Sequence, residues 1–532
     1  MKTPRYLISF DTGKLPLVQT DILVIGGGIA GLRAAIEASQ SDAVLVITKD
    51  QVTESNTYYA QGGIAAHLDN HRLVESHIKD TLESGQGLSA PAVVRSIIRR
   101  GVKEIKHLIE WGMRFDRRGK HLDLAQEGGH HYPRILHAGG DNTGKEIVRN
   151  LIQQVRQHSN IEIQERVFAI DLLTGHYAPT LLAYQTAKQK ICLIQARVII
   201  IASGGLGQLY RETTNPLVAT GDGIALAYRA GAVLQDMEFI QFHPTALYVA
   251  GASRALISEA VRGAGGILVD KFGKRFMPDY HPLGELAPRD IVSRSIINQM
   301  RLTGDTSVYL DVTHLGVARI KNRFPGLYHL CQTFGIDISR DLIPVRPSAH
   351  YLIGGIKISL DGSTNLPNIF AAGECAASSF HGANRLGSNS LLEGLVLGVV
   401  CGRTAGRKLR TKAVIPSVTS IRHTRRKDHT DLIDVIDVRN SLKSLMWRAA
   451  GIERENKHLS EALHYIDFWG KYILDKEFDN PAGWELQNMI ILAHLVTIAA
   501  LRRTESRGAH YRTDSPQPDN KHWKKHITLQ KS

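Results

Sequence analysis

The four cysteines, Cys192, Cys331, Cys375 and Cys401, form no CxxC pair and lie far apart in the chain. That spacing signals neither a zinc site nor an iron–sulfur cluster, so no metal is expected, and it suits reduced, buried thiols of a cytoplasmic protein. Long apolar runs are missing as well. The longest, Val198 to Ala202 and Leu395 to Cys401, fall far short of the roughly 20 residues a membrane-spanning helix needs, so no membrane role is expected. The first residues meet Asp11 and Gly13 before any long apolar stretch, so no secretory signal is expected. Acidic residues are in deficit, 51 against 65 Lys and Arg, for a formal charge of +14. Such a surplus suits either a nucleic acid or a cleft that focuses anionic ligands. The basic residues are spread along the chain, which weighs against nucleic acid. What is present is a globular balance, 43% hydrophobic and 22% charged over 532 residues, enough for two or three domains.

Residues Asp21 to Ile25 read as a buried strand, a glycine turn follows, Leu32 to Ser39 carries helix formers, and Ala43 to Thr48 returns to a strand. This is a βαβ unit. Further strand and glycine pairs at Val198 to Gly207 and Asn368 to Glu374 place pieces of one sheet across the first 400 or so residues. The reading is therefore α/β: a Rossmann-like nucleotide domain (1–233 and 346–415) interrupted by an α+β capping domain (234–345), with a connector and C-terminal helical domain (416–532). Ligands bind between such domains. Within the insert, a helix is predicted at Asp290 to Met300. Beyond a Ser, Thr, Arg and Lys-rich connector at Ala413 to Asp431, three apolar stripes predict a small bundle. They run Leu442, Leu445, Met446, Ala449, then Leu459, Leu463, Ile466, Trp469, then Met489, Leu492, Leu495, Ile498. The last twenty residues read as an extended surface tail.

Gly26, Gly28 and Gly31 give GxGxxG directly after a strand and before a helix. Gly26 permits the tight turn, Gly28 lets a pyrophosphate approach the backbone, and Gly31 lets helix and strand pack closely. The second strand ends in Thr48 and Lys49 instead of the Asp or Glu that usually holds a ribose. NAD is thereby disfavoured, and a basic residue there suits a phosphate or an unusual ribose contact. FAD fits better, because the later strand ends in Gly373 and Glu374, a second carboxylate for the nucleotide.

Further blocks narrow the reading: NTYYAQGGIA at 56–65, QFHPT at 241–245, APRDI at 287–291 and GANRLGSNSLLE at 382–393. With the turn, AAGE at 371–374 and SRGAHYRTD at 506–514, the chain resembles the flavoprotein family of succinate dehydrogenase, fumarate reductase and L-aspartate oxidase. The resemblance runs from about Asp21 to His526. It implies FAD contacts at Gly27, Gly28, Ile29, Ala30 and Lys49, at Asn56, Thr57, Tyr58, Tyr59, Ala60, Gln61, Gly62 and Gly63, and at Asp222, Glu374, Ser390 and Leu391. For Asp222 the plainer alternative is an N-cap of the following helix. Members that attach FAD covalently use a histidine where this chain has Asn56, so the flavin is expected to be noncovalent.

The same resemblance sets His243, Ser258, His350 and Arg385 around the carboxylates of a dicarboxylate substrate, with Gln241 and Glu259 beside them. Arginine suits planar, bidentate carboxylate recognition. Arg289, in APRDI, matches the family's proton-transfer residue; a poor base at neutral pH, it acts in amine oxidation mainly by charge. Ser258 departs from the threonine of better-known aspartate-oxidising members, keeping the hydroxyl and losing the methyl. QEGGH at 126–130 resembles the aspartate-oxidising branch, and Glu127 is the natural partner for an ammonium group in a water-poor site. The implied reaction takes L-aspartate to iminosuccinate by hydride transfer to FAD, with reoxidation by O2 or fumarate. The product feeds quinolinate and NAD synthesis, with a functional link to quinolinate synthase. The alternatives are a soluble fumarate reductase or succinate dehydrogenase flavoprotein, and a basic FAD-dependent nucleic acid-binding protein.

Overall fold

The computed structural model describes residues 1–40, 42–68, 71–174, 178–252, 255–409, 415, 417–425 and 433–531. Its central sheet has seven strands. Along the main path these are Val167–Leu173, Thr180–Gln185, Lys190–Ile201, Leu17–Ile25, Val44–Ile47 and Ile161–Gln164, with Ile369–Ala371 branching from Lys190–Ile201. The first three run antiparallel as a meander, and the pairs from Lys190–Ile201 onward are parallel. Register aligns Ile25 with Ile47 and with Ile201, and Ile201 with Ala371. The carboxyl ends of four strands from distant sequence thus share one edge, where open parallel sheets bind ligands. The strands are near-continuous apolar runs because both faces are covered.

One cover is the helix Ile29–Ala38, packed on the long helix Asn389–Lys408. A Cβ at Gly398 would lie 2.6 Å from the Ala30 carbonyl oxygen, and one at Gly402 would lie 2.5 Å from that of Ala34. The two helices touch backbone to backbone. This contact fixes Ser390 and Leu391, at the start of the second helix, close to the glycine turn.

A separate four-stranded sheet orders Ile240–Leu247, Ile343–Leu352, Val308–Asp311 and Ile267–Val269. The helix Arg289–Thr303 covers it, longer at both ends than predicted, and the two bury their own core around Ile257, Leu268, Val292, Ile296, Leu310 and Val345. Ile240–Leu247 carries His243, and Ile343–Leu352 carries His350.

The three C-terminal helices are Val435–Ala449, Asn456–Ile473 and Pro481–Arg502. The last is a correction to the search for apolar runs: at 22 residues it is long and apolar enough to cross a membrane. Most of it is buried inside the protein, which accounts for its composition. The predicted connector 413–431 lies partly outside the described residues; within the described part, Arg422–His423 pairs with Phe10–Asp11. The last twenty residues run mostly exposed over the surface, as expected, and are tied down near their end. Thr528–Leu529 pairs with Leu234–Gln235, and just before the tail Ser506 to His510 are buried, with Arg507 bonded to Glu505 at 2.8 Å.

Candidate active site

At the carboxyl edge of the sheet lies a cleft of about 510 Å³. Gly26, Gly27, Gly28, Ile29 and Ala30 form one wall; Lys49, Asn56, Thr57, Tyr59, Ala60, Gln61, Asp222, Glu374, Ser390 and Leu391 line the rest. Gly26 has φ +119°, and a Cβ there would sit 2.2 Å from the Ala202 carbonyl oxygen; one at Gly31 would sit 2.0 Å from the Gly26 oxygen. No other residue fits either place. Gly31 packs behind the turn, and neither it nor Tyr58 lines the cleft. The helix after Gly28 begins without a side-chain cap, and the Ile29 N–H donates to Thr57 Oγ1 at 3.1 Å. Its start therefore favours an anion. Two polar atoms on the cleft, Asn56 Oδ1 and Ser203 Oγ, are buried without a partner. A backbone cradle for a pyrophosphate, a volume suited to a dinucleotide and unspent polar atoms all fit FAD.

Lys49 and Asp222 turn out to be engaged with the protein itself. Lys49 Nζ donates to Thr220 Oγ1, Asp222 Oδ2 and Glu485 Oε1, each at 2.7 Å. Burial opposes its charge, but the two carboxylates hold its pKa above the ordinary value. Asp222 Oδ1 also accepts from Asn488 Nδ2 at 2.7 Å. Asp222 is not the cap of its helix: Gly221, in the left-handed region, takes that place, and Asp222 is the first helical residue. Glu374 Oε2 accepts from Asn56 Nδ2 at 2.6 Å and Oε1 from the Leu352 N–H at 3.0 Å; burial pushes its pKa up to about 7.

A smaller cavity of about 50 Å³ adjoins this cleft at Ala60, Gln61, Arg385, Ser390 and Leu391. It brings together Gly62, Gly63, Glu127, His243, Ser258, Glu259, Arg289, His350 and Arg385. Gln241 stands behind them. Its Oε1 accepts from Arg385 Nε at 3.1 Å and Arg289 Nη1 at 3.3 Å, and its Nε2 donates to Asn384 Oδ1 and to the Arg385 carbonyl. Arg289 Nε also donates to Glu259 Oε2 at 2.7 Å, and Arg262 lies 3.2 Å from the other Glu259 oxygen. Arg385 Nη1 donates to Ser390 Oγ at 2.5 Å, its Nη2 is buried with no partner, and its guanidinium lies over the Tyr351 ring at 4.3 Å. Burial and then Arg289 lower its pKa to about 10, so it stays a cation.

The two histidines are not cations. Burial first, then Arg289 for His243 and Arg385 for His350, push both well below the usual imidazole range. His243 Nδ1 accepts from the Thr245 N–H at 3.3 Å, and His350 Nδ1 meets Thr214 Oγ1 at 2.8 Å. With Nδ1 accepting in His243, its Nε2 carries the proton. Ser258 caps the short helix Glu259–Gly263, accepting from the Ala260 N–H at 3.3 Å.

Two carboxylates meet here with opposite tendencies. Burial raises both, but Arg289 and then Arg262 pull Glu259 below its usual value. Glu127 is pushed up to about 7 by burial and by Glu259. Its Oε2 accepts from Ser388 Oγ at 2.7 Å, while Oε1 is buried and unpartnered. The sequence reading missed Ser388, Arg262, Asn384, Thr214 and Ser203. Ser388 had a signal, since it stands two residues before Ser390 in the GANRLGSNSLLE block; Arg262 had a weaker one, the three-residue spacing from Glu259 that one turn of helix would put on one face. Thr214 and Ser203 had none.

Residues 21–391 match the FAD binding domain family and residues 439–532 the fumarate reductase flavoprotein C-terminal family, which defines an FAD-dependent flavoprotein. Among solved structures, E. coli quinol fumarate reductase FrdA is 30% identical with a TM-score of 0.89, covering 97% of this chain and 95% of that one. Mycobacterium smegmatis Sdh1 is 32% identical at 0.84, covering 97% and 92%. L-aspartate oxidase of Nostoc sp. is 40% identical over 96% of this chain and 93% of its own length, and that of Pseudomonas aeruginosa 39% over 94% and 96%. The chain belongs to the L-aspartate oxidase family.

Proposed function

We propose that the protein oxidises L-aspartate to iminosuccinate. The observation that carries this reading is Glu127, a buried carboxylate with one unspent oxygen facing a cavity otherwise furnished for carboxylates. Arg385 meets one substrate carboxylate with its free Nη2, and Arg289, held by Glu259 and Gln241, adds charge. His243 contributes a neutral N–H donor, Ser258 a hydroxyl, and His350 a second neutral imidazole. Glu127 takes the ammonium group, which succinate lacks, so the amine is both oriented and preferred. Deprotonating that amine readies Cα to release a hydride, and Glu127, with its pKa near neutrality, is the nearby acceptor. FAD bound in the adjoining cleft supplies the hydride acceptor. Gly26, Gly28 and the helix start hold its phosphates, while Asn56, having no nucleophilic nitrogen, leaves it noncovalent.

In the same reading residues 234–345 act as the cap that closes the site between two domains. The reduced enzyme is reoxidised by O2 or fumarate, the iminosuccinate feeds quinolinate and NAD synthesis, and quinolinate synthase is the functional partner. The test is anaerobic mixing of the purified yellow protein with L-aspartate and, separately, with succinate. Bleaching of the flavin by L-aspartate is expected; bleaching by succinate alone sinks the reading.

A further inference from the structure

Glu127 Oε1 has one polar neighbour that no substrate-binding role absorbs. His137, directly after the strand Ile135–Leu136, places Nε2 at 3.9 Å from that oxygen, and both atoms are buried without a hydrogen-bond partner. The distance is too long for a direct bond and short enough for a small side-chain rotation to close. The backbone of Gly140 also acts on the imidazole, favouring its charged form, and Nε2 is the unpartnered ring nitrogen next to Glu127. The side chain of His137 is 13% exposed while that of Glu127 is 1% exposed. The remaining groups acting on Glu127, namely Glu259, Ser388, Arg289 and Arg262, are all sealed inside the site.

Building on the proposed amine oxidation, we propose that His137 is the proton exit behind Glu127, a positioning and relay residue that never touches substrate. The substrate ammonium gives one proton to the Glu127 carboxylate, and the N–H electron pair stays on nitrogen. Glu127 passes that proton to His137 Nε2 and is again a carboxylate. The imidazolium then loses a proton to water. No electrons move in these steps. Asp116 and Asp123 face the ring with positive influence and Arg323 with negative, but burial dominates and pulls its pKa down to about 4. His137 therefore rests neutral and holds a proton only in passing, which suits a relay and not a store.

The test pairs two reactions of the full-length, FAD-loaded protein: oxidation of L-aspartate, which needs the amine deprotonated, and reduction of fumarate by a dithionite-reduced dye, which does not. His137→Ala should slow the first on the order of 10²-fold, mainly in kcat, and move the second less than about threefold. Added imidazole should restore aspartate oxidation, and across substituted imidazoles of similar size the restored rate should follow the base's pKa, a dependence that a merely refilled cavity does not produce. His137→Asn, which keeps polar volume but cannot carry a proton onward, should be as slow and should fold even if the alanine variant does not. Equal loss of both reactions, or an Asn variant as fast as wild type, overturns the relay. Failure of the wild-type flavin to be reduced by L-aspartate overturns the underlying function instead.

Discussion

The cofactor cleft and the substrate cavity share a wall and are built on opposite plans. The cleft's phosphate wall is made of main chain: a strand end, Gly26 at a turn that excludes any Cβ with Gly31 packed behind it, and a helix start. The cavity is made of side chains, charged and cross-linked, with Glu259, Gln241, Arg289 and Arg385 in one hydrogen-bonded chain. A backbone cradle tolerates any side chain that stays out of its way. A charged cluster in a dry site tolerates almost none, because each lost partner strands a buried charge.

The contrast predicts a graded set of outcomes. Gly31→Ala drives a methyl into the Gly26 carbonyl and should yield protein that emerges from gel filtration colourless and inactive; a yellow, active variant would show that the cradle bends. Arg385→Ala should keep the flavin and lose on the order of 10²- to 10³-fold in kcat/KM, the range for truncating one side of a buried charge pair; loss of flavin would blur the line between the two regions. Glu127→Gln should weaken L-aspartate binding about 30-fold, as for a hydrogen bond to a charged group, while succinate and fumarate binding, read from flavin difference spectra, hold steady. Equal weakening would remove its discriminating role. The smallest effect is of pH. Because Glu127 is raised to about 7, it is protonated on the acid side and cannot pair with an ammonium. The preference for L-aspartate over succinate should then fall about tenfold from roughly pH 8 to pH 6, and Glu127→Gln should flatten the dependence.

The same contrast explains what could be read beforehand. Gly26, Gly28 and Gly31 are local: three positions in six residues, between a strand and a helix, state their geometry outright. The apolar stripes of the C-terminal helices are local too, and Leu442, Met446, Leu459 and Ile466 are all buried in one core. The cavity is different, because Glu127, His243, Arg289 and Arg385 come from four segments whose meeting no spacing rule encodes. They were reached through a family resemblance. Physics alone left each as an isolated charged residue or histidine. Lys49 shows what a motif leaves out: a cation at the strand end suggested a phosphate or an unusual ribose contact, and the structure adds its ion pairs with Asp222 and Glu485 at the lining of the cleft. Its partner Glu485 lies in the last helix, too remote for any motif to join them.

That lysine has a mechanical consequence. It fastens a strand end of the central sheet to the first turn of one helix and to the C-terminal bundle, and Arg439 closes the far side through Glu485 at 2.7 Å. Peeling the bundle away leaves a partly buried ammonium short of a counter-ion at the rim of the cleft, so fraying from the C-terminus is opposed until the sheet itself gives way. The last hundred or so residues should then melt in step with the nucleotide fold, and a protease probing the native protein should meet one cooperative body.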